Sequence, residues 1–205
     1  MPRPGVFPLR QKYGIPDDAV VFLFGGNLGK PQALDFLTET MIFLKEEKRI
    51  FFALVGRGSE KNSAKTRLEQ GGCKNYVMLE NLPREEYEAF VRECDAGLIL
   101  LDYRFTIPNY PSRILTYMEF GLPVLAATDR VNDIGDMIRK SGCGTAVYSD
   151  DSEAFAAQIK KLADDGSLRR KMGLAGRAYA QKHFDVAVSV EKITEFLEET
   201  GNHHK

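Results

Sequence analysis

Three consecutive residues, Pro111, Ser112 and Arg113, bring together the groups that bind a phosphate. Proline suits the first position of a helix, and Gly121 is a typical stop, so we expect a helix that begins at Pro111. A helix start offers unbonded amide groups and the positive end of the helix dipole, and Arg113 adds a guanidinium. The stretch therefore predicts an anion site. The simpler alternative makes Ser112 a helix cap and Arg113 a solvated surface residue.

A second candidate is the glycine-rich turn at residues 25–30. Gly26 and its glycine neighbours allow the backbone to pass close to a ligand, and Lys30 can place a positive charge there. The turn is not a dinucleotide fingerprint, because no acidic residue closes the following strand. The alternative is a tight connection with Lys30 on the surface. Because Lys30 and Arg113 both follow strand ends, we expect them to meet over one groove and to share a pyrophosphate.

Two further loops are weaker candidates. Another glycine turn contains Gly56 and Arg57. A second loop consists of Glu80, Asn81 and Leu82, and its backbone groups could contact a nucleobase. Plain surface loops are the alternative for both. No Ser-His-Asp, Cys-His or paired-carboxylate arrangement can be assembled from the spacing of residues, so no catalytic residue is assigned.

Apolar runs alternate with helical patterns along the chain. The expected strands are 19–24, 50–55, 76–79, 96–101, 123–127 and 145–148, and helices fill the intervals. Such alternation predicts a three-layer, Rossmann-like α/β fold, with an open parallel sheet of about six strands and helices on both faces. Ligands bind such sheets beyond the carboxyl ends of the strands. Three extra helices, near 151–163, 167–181 and 187–198, follow the last strand, and they either close the layers or face a partner domain.

Composition limits the partners of the chain. The 205 residues are 43% hydrophobic and carry a formal net charge of -1, so neither nucleic acid nor an anionic membrane is an expected partner. Three separated cysteines and three histidines suit neither a disulfide framework nor a metal site, which favours a cytoplasmic location. We expect a linker or truncated segment at 1–18, one domain at 19–199 and a disordered tail at 200–205.

Six segments in this order resemble the carboxyl-terminal half of retaining family 4 glycosyltransferases. Those enzymes have two Rossmann-like domains, an architecture called GT-B, and the nearest variety builds bacterial capsule, O-antigen or exopolysaccharide. The matching segments are 25–30, 54–60, 77–86, 94–98, 111–118 and 121–124.

The resemblance implies that this half binds a nucleotide-sugar donor, with UDP as the expected nucleotide, and needs neither a metal nor another cofactor. Asn27 and Lys30 match the diphosphate-binding turn, and Ser112 and Arg113 match the helix start that meets the phosphates and the sugar. The loop 80–82 matches the segment beside the base. An amino-terminal acceptor domain is the implied partner, and the whole enzyme could lie peripherally at the inner membrane surface.

The chain departs from the family at two positions. Pro108 and Thr116 stand where the family usually has two glutamates, so a ribose would meet one hydroxyl in place of a carboxylate. The expected function is the donor half of an enzyme that transfers a hexosyl or N-acetylhexosaminyl group, inactive as this chain alone. The alternatives are a non-catalytic nucleotide-binding or interaction module and a fragment of a sugar-nucleotide epimerase, against which the helix at 111–117 argues.

Overall fold

The computed structural model describes residues 7–105, 110–185 and 194, and its centre is a parallel six-stranded sheet. The strands are β1 (Val20–Gly25), β2 (Ile50–Val55), β3 (Tyr76–Leu79), β4 (Ala96–Leu100), β5 (Val124–Thr128) and β6 (Gly144–Tyr148). Their order in space is β3-β2-β1-β4-β5-β6. Four of them, β1, β2, β4 and β5, are buried along their whole length, which explains their continuous apolar sequences. The predicted fold class is confirmed.

Helices cover both faces of the sheet. They are α1 (Pro8–Lys12), α2 (Leu34–Phe43), α3 (Lys61–Gln70), α4 (Arg84–Glu93), α5 (Arg113–Glu119), α6 (Ile134–Ser141), α7 (Ser152–Asp164) and α8 (Gly166–His183). The helices α2, α3 and α7 share one core with Phe22 and Phe24 of β1. The helices α4, α5 and α6 share the other core with Val21 and Leu23. The alternation of side chains along β1 thus divides the apolar residues between two layers.

The order of strands reverses beside β1. The chain runs from β1 outward through β2 to β3, and then returns to place β4 on the opposite side of β1. At such a point the loops after the neighbouring strands diverge and leave a crevice at the carboxyl end of the sheet. This crevice lies between the turn that follows β1 and the beginning of α5.

Several predicted boundaries are wrong. Residues 8–12, expected to be irregular, form α1, whose Arg10 is buried against α4. The helix expected at 32–47 is shorter, because a 3₁₀ turn at Lys30–Gln32 ends in Ala33 with a left-handed φ of 44° before α2 begins. The α-helical part of α5 begins at Arg113, two residues after Pro111, because its entry is wound more tightly than an α-helix.

Some predicted features cannot be compared with the fold. The third terminal helix at 187–198 lies outside the described residues except for residue 194, and so do the tail at 200–205 and Pro108. None of the described helices combines the length and the apolar character that crossing a membrane requires.

Candidate functional site

A cleft of about 690 Å³ opens at the carboxyl ends of β1, β2 and β3, between the loops that follow them and the first turns of α5. It is lined by Gly25, Gly26, Asn27, Val55, Asn81, Leu82, Tyr87, Ser112, Arg113, Leu115 and Thr116. Seven of the residues predicted from the sequence are brought together here. They are Gly26, Asn27, Asn81, Leu82, Ser112, Arg113 and Thr116.

Arg113 provides the charge of the cleft. Its guanidinium lies over the ring of Phe24, 4.5 Å from the ring centroid, and Nη2 donates to Oε1 of Gln32 over 2.7 Å. Nη1 is buried and has no hydrogen-bond partner in the described part of the chain. Burial lowers the pKa of the Arg113 guanidinium below its usual value. The interpretation of Arg113 as a solvated surface residue is therefore wrong.

This charge has no counter-ion. Among residues 7–105 and 110–185, the lining of the cleft contains no Asp or Glu, and Arg113 forms no ion pair. Glu80, the acid nearest in sequence to the lining loop, is 63% exposed and turns toward Arg57 and Lys61 at 3.0 and 2.6 Å. A partly desolvated cation with one neutral partner lowers the stability of the fold, and a bound anion would compensate its charge.

The entry to α5 offers a hydroxyl as well as the guanidinium. The amides of Ile114 and Leu115 already donate to the carbonyls of Pro111 and Ser112, at 3.1 and 3.0 Å, so the tight first turn uses these two groups internally. The Ser112 side chain makes no capping hydrogen bond and is exposed in the cleft. The plain-cap interpretation of Ser112 is therefore wrong, and its hydroxyl remains available to a ligand.

The glycine turn brings backbone close to the guanidinium. Gly26 has a φ of 130°, and a Cβ built there would lie 3.2 Å from Cζ of Arg113. Gly56 has a φ of 152°, and its Cβ would lie 1.8 Å from the Gly26 carbonyl oxygen. Gly56 does not line the cleft; its lack of a side chain lets the turns after β1 and β2 pack against each other.

Four predicted residues lie outside the lining of this cleft: Lys30, Gly56, Glu80 and Pro111. Pro111 is buried just before α5. Lys30 lines a neighbouring depression of about 370 Å³ together with Asp102 and Arg104. Lys30 and Arg113 therefore line two separate cavities, contrary to the expectation of one shared groove. The reason is the 3₁₀ turn, which directs Gln32 toward Arg113 and Lys30 toward the side of α2.

Sequence analysis missed two residues of the site. Gln32 is only 5% exposed and accepts a hydrogen bond from Arg113, and it lies two residues after Lys30, the predicted site residue of this turn. Tyr87 lines the cleft from α4, four residues after Pro83. No local signal marks Tyr87, because a tyrosine at a helical spacing from apolar residues is equally typical of a core position.

The sequence of the chain matches a known protein family over most of its length. Residues 7–179 match the model of a family described as glycosyl transferases group 1. The chain belongs to the group 1 glycosyltransferases. The predicted resemblance is confirmed, and the match covers every element that lines the cleft.

Two curated relatives are named as glycosyltransferases, one of them for colanic acid biosynthesis. A probable glycosyltransferase of Pseudomonas aeruginosa, WbjE, is 27% identical over 174 residues. A putative colanic acid biosynthesis glycosyltransferase of Escherichia coli, WcaI, is 24% identical over 181 residues. These matches cover 84% and 86% of this chain but only 42% of each relative, so the chain spans about two fifths of the curated relatives.

Solved structures of other proteins share the fold. Anabaena HepE, solved in complex with UDP, superposes with a TM-score of 0.77 at 20% identity, covering 93% of this chain and 51% of HepE. The carboxyl-terminal domain of the Francisella tularensis group 1 protein LpcC gives 0.72 at 17% identity, covering 90% of this chain and 95% of that domain. The LpcC structure contains only the carboxyl-terminal domain of that protein, so a domain with this fold has been crystallised alone.

Proposed function

We propose that this chain is the donor-binding domain of a glycosyltransferase and that its cleft holds the diphosphate of a nucleotide-sugar, with UDP as the nucleotide. One observation carries the proposal: Arg113 is a half-buried cation that lines an open cleft, and its hydrogen-bond partner in the described chain is the neutral Gln32. A diphosphate would supply the missing negative charge.

The other lining residues suit the remaining parts of such a donor. Asn27 and Ser112 line the cleft together with Arg113, and both side chains can donate to phosphate oxygens. Asn81 and Leu82 line the same cleft, and we assign their loop to the base. Thr116 offers one hydroxyl to the ribose or sugar. Lys30 remains a predicted second contact from the neighbouring depression.

Transfer of the sugar leaves the nucleoside diphosphate with additional negative charge on its terminal oxygen. A fixed guanidinium stabilises this developing charge more strongly than water does, because it is already oriented and largely desolvated. We therefore assign to Arg113 the stabilisation of the leaving group. The acceptor and the residues that position it belong to a second domain, which the twofold greater length of the relatives supports.

The names of the relatives support a place in surface polysaccharide synthesis. WcaI is named for colanic acid, and the Erwinia amylovora relative AmsK, 24% identical over 175 residues, is named for amylovoran. We propose a hexosyl or N-acetylhexosaminyl group as the transferred sugar.

Isothermal calorimetry with UDP, UDP-glucose, UDP-N-acetylglucosamine and GDP tests the proposal. We expect saturable binding of UDP and its sugars, lost in Arg113→Ala and weakened in Lys30→Ala. Lys171→Ala, which removes an exposed lysine on α8, is the matched control and should bind as the wild type does. Absence of nucleotide binding at millimolar concentration would contradict the proposal.

A further inference from the structure

Tyr117 connects the two elements that form the cleft. It lies on α5, four residues after Arg113, so both side chains project from the same face of the helix. Its side chain is fully buried, and it is the largest such side chain in the described protein. A buried tyrosine hydroxyl requires hydrogen-bond partners, and those partners reveal what the residue does.

The hydroxyl binds the backbone at the end of β1. Tyr117 Oη donates to the carbonyl oxygen of Leu23 and accepts from the amide of Gly25, both over 3.2 Å. The registered pairing of β1 with β4 stops at Leu23 and Gly97, so Gly25 lies beyond the paired part of β1 on that side. The hydroxyl therefore holds the backbone where β1 and β4 separate and the cleft begins.

The ring is fixed from the opposite side. A Cβ built on Gly97 would lie 2.3 Å from Cδ2 of Tyr117, so the ring packs directly on the backbone of β4. The hydroxyl of Tyr87, which lines the cleft, lies against the same backbone, because a Cβ built on Gly25 would lie 2.0 Å from Oη of Tyr87. Burial raises the pKa of both tyrosines above the usual value, which keeps both hydroxyls protonated at neutral pH.

We propose that Tyr117 is a positioning residue: its hydroxyl fixes the end of β1 against α5 and so sets the distance between the glycine turn and Arg113. This inference rests on the proposed function, because it assigns the consequence to diphosphate binding. The side chain is buried beneath the cleft, so it acts through Gly25 and Arg113 and not by contact with the ligand.

Tyr117→Phe removes the hydroxyl and keeps the ring. We expect the Kd for UDP to rise about five- to tenfold, because the turn and Arg113 lose their fixed separation. Thr40→Val is the matched control, since Thr40 is a buried residue of α2 whose hydroxyl donates to the Phe36 carbonyl at 3.0 Å. The control should lose similar stability in thermal unfolding and leave the Kd unchanged.

Amide hydrogen exchange of the ligand-free protein gives a second readout. Exchange at Gly25 should accelerate at least tenfold in Tyr117→Phe and stay unchanged in Thr40→Val. A Kd for UDP within twofold of the wild-type value in folded Tyr117→Phe would overturn the inference. Failure of the wild-type protein to bind UDP would instead contradict the proposed function, and the two failures are thus distinguishable.

Tyr87→Phe keeps the inference testable if Tyr117→Phe does not fold. This variant removes the hydroxyl that lies beside the Gly25 backbone and leaves both rings in place. We expect a two- to threefold increase in the Kd for UDP with little change in stability. An unchanged Kd would count against a tyrosine pair that holds the cleft.

Discussion

Two arginines of this protein, the buried Arg10 and the half-buried Arg113, have opposite surroundings. Arg10 is 4% exposed, and each nitrogen of its guanidinium has a partner. Nη2 pairs with Asp95 at 2.7 Å, Nε donates to the Glu93 carbonyl at 2.7 Å, and Nη1 donates to the Ala19 carbonyl at 2.9 Å. Arg113 has one neutral partner, Gln32, and a buried Nη1 with none in the described chain.

The difference separates a structural arginine from one that is available to a ligand. Arg10 ties α1 to the end of α4 and to the start of β1, and its charge is neutralised within the protein. No carboxylate of the described residues pairs with Arg113 beside the open cleft, an arrangement that lowers stability unless an anion binds. Exposure alone therefore does not separate the two arginines; the presence or absence of a counter-ion among the described residues does.

Replacing Arg10 should have the largest effect on the fold. Arg10→Met leaves Asp95 without its closest partner, and we expect the free energy of unfolding to fall by about 3–5 kcal/mol in denaturant titrations. Arg170→Met, at an exposed position of α8, is the control and should change stability by less than about 0.5 kcal/mol. A small loss in Arg10→Met would remove the contrast between the two arginines.

Replacing Arg113 should have the largest effect on binding. Because hydrogen bonds to charged groups contribute about 1.5–3 kcal/mol, we expect the Kd for UDP to rise roughly a hundredfold in Arg113→Met. Its stability should equal or exceed that of the wild type, since a desolvated cation is removed. Arg113→Lys retains the charge without the planar fork and should recover part of the affinity. Calorimetry and thermal unfolding of the same samples measure both effects. A clear loss of stability in Arg113→Met would show that Arg113, like Arg10, stabilises the fold.

A counter-ion introduced beside Arg113 tests whether its charge decides the affinity for UDP. Gln32→Glu places a carboxylate where the neutral amide now meets Arg113, so it should compete with the diphosphate and raise the Kd for UDP about tenfold. Gln32→Met is the neutral control and should bind within about threefold of the wild type. Equal binding by the glutamate and methionine variants would show that the charge of Arg113 does not decide affinity.

The smallest expected effect concerns Thr116. This residue lines the cleft with a single hydroxyl and no charge, so Thr116→Ala should raise the Kd for UDP by no more than about twofold. A tenfold increase in the Kd for UDP, measured by calorimetry, would show that Thr116 contributes much of the affinity assigned to Arg113.

The sequence predicts the architecture well, because the continuous apolar runs of the buried strands and the glycine turns are local signals. The two arginines were not distinguishable in the same way. Arg10 stands in a proline-bearing segment that resembles a linker, and its partners Glu93 and Asp95 lie 83 and 85 residues along the chain. Similarly, Lys30 and Gln32 are two residues apart, and the turn that sends them to different cavities depends on the left-handed conformation of Ala33.

An NMR titration of the ¹⁵N-labelled protein with UDP tests whether UDP binds in the cleft beside Arg113. We expect saturable chemical-shift changes of the backbone amides of Gly25, Gly26, Asn27, Asn81 and Arg113. Shifts confined to the neighbouring depression around Lys30 and Arg104, with the cleft amides unmoved, would contradict it.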